Sequence, residues 1–148
     1  MLMSSLQLKP RQRPGGGGRT EKAFLDFVID GRPLLDHLGS SDSDFIGRLG
    51  WGPVQEHRQG IEHLLLKLPP DAPSGRVQLL ICPECGDLGC GAFTGRIEKS
   101  DDCFVWRDFA FENDHEKVPV ETFPDVGPFH FEKRAYFAEL DRHREDVK

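Results

Sequence analysis

At 148 residues, 37% of them hydrophobic, the chain suits one domain with a core of its own. Its net charge of −6 argues against a phosphate-backbone partner, and no apolar run approaches the roughly 20 residues of a membrane span. The N-terminal stretch lacks the apolar centre of a secretory signal, so the sequence reads as cytoplasmic with reduced thiols; nucleic acid and membrane are not expected as partners, and a basic protein is.

Residues 1–22 carry Lys9, Arg11, Arg13, Arg19 and Lys22 against Glu21 alone, with Pro10, Pro14 and glycines at 15–18. That composition predicts a flexible, disordered, basic Pro/Gly-rich tail, followed by a single domain over 23–148. Phe24–Ile29 reads as a strand and Asp30-Gly31 as a turn. Leu34–Leu38 reads as a short helix, with Pro33 at its start and Gly39 past its end. Gly47, Gly50 and Gly52 around Trp51 lack the spacing of a nucleotide loop, so no nucleotide cofactor is expected. Pro53 opens a helix running to Leu68, with Val54, Ile61, Leu64, Leu65 and Leu68 on one face. His57 and His63, six apart, do not share a face and read as structural.

The second half reads as an antiparallel meander of Val77–Cys82, Ala92–Lys99 and Cys103–Phe111. An acidic loop over Asn113–Gly127 follows. A closing helix from Phe131 to about His143 would bury Phe131, Ala135 and Ala138, with Phe137 and Leu140 as further candidates. The predicted fold class is α+β, an antiparallel β-meander sheet packed by two or three helices.

Cys82, Cys85 and Cys90 gather three of the four cysteines into one hairpin with Pro83, Gly86 and Gly89. Proline and glycine are the residue types that turn a chain sharply around a small centre. Three thiolates so placed suit tetrahedral zinc, with Zn–S bonds of about 2.3 Å. The fourth ligand would be Cys103, a histidine such as His115 or His130, an acidic side chain or water. Thiol redox chemistry and simple packing also fit the cluster, although Glu84 and Asp87 would raise a thiol pKa rather than activate it. Trp106, Asp108, Glu112 and Asn113 form the second candidate site, as an aromatic and acidic surface for a basic partner. Solvated acidic residues at a strand end explain the same pattern.

The hairpin Cys82–Gly91, the strand Trp106–Asn113 and the lead Gly127–Phe131 together resemble a group of small bacterial proteins. These share a CPECGDxGCG hairpin and a W-x-D-F-x-x-E-N strand. Some carry the label "oxidoreductase" without an established activity, so the resemblance implies thiol chemistry and names no reaction. The combined expectation is a small cytoplasmic binding protein with a structural zinc on its cysteine hairpin. A thiol-dependent oxidoreductase using Cys82, Cys85 and Cys90 is the alternative.

Overall fold

Leu6 and Leu8 alternate with polar neighbours, and the computed structural model, which describes residues 2–147, turns that alternation into strand β1 (Leu6–Arg13). Both leucines are buried. The strand pairs antiparallel along its length with β2 (Lys22–Ile29), Leu6 opposite Ile29 and Arg13 opposite Lys22. The disordered tail expected over 1–22 is therefore corrected to a hairpin arm for the described residues; residue 1 lies outside them. Pro10 misled because proline weakens a central strand, yet β1 is the outer strand of its three-stranded sheet and tolerates a missing N–H. The glycine run serves the connecting loop, with Gly16, Gly17 and Gly18 at positive φ.

Asp30 and Gly31, at φ 52° and 83°, make the expected two-residue turn from β2 into β3 (Arg32–Pro33). Helix α1 (Leu34–His37) follows. The second sheet runs β4 (Ile46–Gly47), β5 (Val77–Ile81), β6 (Ala92–Lys99), β7 (Cys103–Glu112), β8 (Glu121–Phe123). Strand β9 (Phe129–Glu132) also pairs with β7. The β5–β6–β7 meander is the one that the alternating pattern implies. Strand β8 lies inside the stretch expected to be a loop.

Helix α2 (Val54–Leu64) buries His57, Ile61 and Leu64, while Val54 in its first turn is exposed. It stops before Leu68 because Leu66 turns to φ 59° and Lys67 N–H donates back to the Glu62 carbonyl. Helix α3 (Lys133–Arg142) starts later than expected: Phe131 belongs to β9, and Glu132 caps the helix by accepting from the Arg134 and Ala135 N–H groups. Its buried face is Tyr136 and Leu140, four apart, whereas Ala135, Ala138 and Phe137 are exposed. A helix starting at Phe131 would turn Ala135 and Ala138 to the core instead.

Two isolated bridges, Leu25 with Leu49 and Ser4 with Phe131, join the two sheets at both sides. The strands consequently form a continuous ring. At its centre lies Trp106, fully buried, with Phe27 and Phe131 edge-on at 5.5 and 5.4 Å. The fold is a single α+β domain of mainly antiparallel strands, with three α-helices among the described residues. Among the described residues no helix is long and apolar enough to cross a membrane.

Candidate functional site

The loop between β5 and β6 leaves the sheet at Cys82 and returns through a single 3-10 turn, Leu88–Cys90. Gly86, at φ 69°, donates its N–H to the Cys82 carbonyl at 2.9 Å, closing the first turn. Asp87 then accepts from Gly89 N–H at 2.9 Å and caps the second. Two consecutive tight turns bring Cys82, Cys85 and Cys90 together, their ligand atoms all within 4.8 Å of one another. The Cys85 and Cys90 sulfurs are in contact, with Cα atoms 7.1 Å apart. Cys82 is half-buried; Cys85 and Cys90 are exposed. Such a cluster can hold a metal ion or carry thiol redox chemistry.

The two carboxylates of the loop are occupied elsewhere. Glu84 accepts from Thr20 N–H at 2.9 Å, from the Thr20 hydroxyl at 3.0 Å and from Arg13 at 2.7 Å. The Thr20 amide, followed by Arg13, holds the Glu84 carboxyl down to about 2. Arg13, only 4% exposed, makes a two-pronged pair with Asp44 at 2.9 and 2.7 Å. That hydrogen-bonded pair raises its own pKa further. The β1–β2 loop is thereby tied to the cysteine loop. Trp51 stands on the other flank, its ring beside Gly86 and its Nε1–H donated to the Gly47 carbonyl at 2.9 Å. Arg13, Thr20 and Trp51 escaped the sequence reading. Nothing in a Pro/Gly-rich stretch marks a buried arginine.

No other histidine, cysteine, aspartate or glutamate among the described residues joins the cluster. Cys103, in β7, is buried with its sulfur 3.9 Å from that of Met3. His115 lies on the exposed loop after β7, and His130 on β9.

The second candidate set resolves into structural roles. Trp106 donates Nε1–H to the Tyr136 hydroxyl at 3.0 Å, and that hydroxyl donates to the Leu64 carbonyl at 2.7 Å. Glu112, 3% exposed, accepts from the Thr94 and Ser74 hydroxyls at 2.6 and 2.8 Å. Asp108 sits at φ 57° where two residues of β7 face Gly95 of β6, a bulge that aims its carboxylate at Arg76 and Arg96, 2.9 and 2.6 Å away. Partial burial opposes ionisation of Asp108, but Arg96 and Arg76 outweigh it and lower its pKa. Asn113 accepts from the N–H groups of His115 and Glu116, forming the turn out of β7. The expected contact surface is corrected accordingly: Trp106 and Glu112 are buried beneath neighbouring elements, and of the four only Asp108 is exposed.

Comparison with protein-family models, with curated proteins and with solved structures returns no match.

Proposed function

We propose that the chain is a small binding protein whose Cys82, Cys85 and Cys90 thiolates hold a zinc ion. The convergence of three sulfurs within 4.8 Å carries this reading. Tetrahedral zinc with Zn–S bonds of about 2.3 Å needs sulfurs roughly 3.8 Å apart, so the touching Cys85 and Cys90 sulfurs would part to admit the ion while all three stay within the same small span. With Glu84 and Asp87 engaged by the scaffold, the fourth position would fall to water or to a group from another molecule. The basic protein partner suited to the net charge would meet the exposed loop 114–121 instead of Trp106, since Val118 and Val120 stand there beside Asp114, Glu116 and Glu121.

A thiol-redox reading has its own support in the contact between the exposed Cys85 and Cys90 sulfurs, with Cys82 at hand as a third thiol. The label carried by the proteins it resembles points the same way. Metal content and free-thiol count, measured on protein purified without a histidine tag or chelator, separate the two. About one zinc per chain, lost in Cys85→Ser together with thermal stability, is the expected result. Metal-free protein with a stoichiometric Cys85–Cys90 disulfide would replace zinc binding with redox chemistry. Four free thiols without metal would remove both.

A further inference from the structure

The meander places the cysteines at one end of β5–β7 and leaves a second concavity at the other. A cavity of about 450 Å³ opens where the end of α2, the β6–β7 turn and the start of α3 meet. Small organic ligands occupy cavities of roughly 300–1,000 Å³. Leu65, Leu66, Phe104 and Phe137 form its apolar wall. Phe104 is 3% exposed and stacks on the buried Tyr136 at 4.4 Å, so this surface is fixed by the core behind it. Phe137 is 42% exposed, an aromatic ring facing water on a helix that buries its neighbour Tyr136.

The rim is cationic. Lys67, Lys99, Lys133 and Arg134 line the cavity, and no carboxylate does. None of the four pairs with a described acidic side chain; no described lysine does, but Arg134 stands apart from the other arginines, nearly all of which are paired. Lys133 and Arg134 border Asp101, Asp102 and Glu132 on their far side. Lys67 Nζ lies over the Phe137 ring and Lys99 Nζ over Phe104, each at 5.8 Å from the centroid. Leu66 adds a local oddity. It takes φ 59° where α2 ends, a position that glycine fills at lower cost, and so contributes a leucyl side chain to the wall.

Unneutralised cations around a rigid aromatic surface complement one kind of ligand: a flat apolar body with an anionic end. We propose that this cavity binds a small aromatic carboxylate, its ring against Leu66 and the exposed Phe137 above the buried Phe104, and its carboxylate among Lys67, Lys99, Lys133 and Arg134. The site is independent of the cysteine loop.

The test is titration of 2-naphthoate into isotope-labelled full-length protein, followed by amide chemical shifts, with 2-naphthalenemethanol as the uncharged counterpart. Saturable shifts at 65–67, 99–104 and 133–137 are expected, with the alcohol at least tenfold weaker. The double variant Lys133→Glu, Arg134→Glu is expected to weaken naphthoate tenfold or more without changing the melting temperature, since both side chains are free of ion pairs. Phe137→Ser, on an exposed position, is expected to do the same. Equal affinity for acid and alcohol, shifts centred elsewhere, or no saturation at millimolar naphthoate would overturn the proposal. So would a concentration-dependent dimer in sedimentation that covers these residues, which would assign the cavity to a second copy of the chain.

Discussion

His57 is fully buried in α2, where its Nδ1 accepts from Gly50 N–H at 2.9 Å and its Nε2–H faces the His143 carbonyl at 2.8 Å. These two partners select one neutral tautomer and join three segments distant in sequence. Burial pushes the imidazole pKa below its ordinary value, against the opposing pull of the His143 carbonyl. The unfolded chain therefore takes up a proton near the ordinary histidine pKa of about 6.5 that the native His57 refuses. Its contribution to stability is complete above that pH and declines as the pH falls through it. Denaturant unfolding at pH 7.5 and pH 5 should show this loss, and His57→Gln should be less stable at pH 7.5 with a flatter pH dependence. Six-residue spacing from His63 puts the two imidazoles on different faces of the helix, but spacing along a helix is silent about tertiary partners of this kind. Trp106 and Glu112 carry the same lesson in reverse. A strand sequence shows which residues share a face, and whether that face is covered depends on elements far away in the chain.

Strands β5, β6 and β7 were legible because their alternation persists over several residues between clear turns. β9 was not: four residues, Phe129 to Glu132, are too few to display a period before α3 begins. The cysteine loop was legible as chemistry, since Cys82, Cys85 and Cys90 share a short segment whose closure needs only local turns. Its anchoring by Arg13 was not, because that depends on β1, a strand concealed by Pro10 and the glycine run. Within the loop Gly91 is the critical joint. It has φ 92° and ψ 164°, a conformation nearly exclusive to glycine, and a Cβ added there would collide with the Phe111 ring. Gly91→Ala is expected to destabilise the fold by about 2–4 kcal/mol and displace Cys90 from its partners. Thermal melting would check this, and on the proposed zinc reading a competitive titration would show zinc affinity at least tenfold below that of the parent.

Closure of the ring makes the N-terminal arm part of the architecture. Ser4 N–H donates to the His130 carbonyl at 2.7 Å, and Leu8 N–H to the Glu139 carboxylate at the same distance. A chain truncated to begin at Ala23, where composition alone would cut, loses β1 and uncovers one side of β2. Such a protein is expected to show no cooperative thermal transition and a weakened near-ultraviolet circular dichroism signal; a sharp transition like that of the parent would show that the arm is dispensable. Leu8 and Glu139 are separated by 131 positions. Ribosomes add about 5–20 residues each second, so the outer edge of the β1–β2 hairpin waits on the order of ten seconds for its seam partner to be synthesised. During that interval a newborn chain displays an unpaired, leucine-bearing edge to its surroundings, and the nascent protein is open to unwanted strand pairing until α3 emerges.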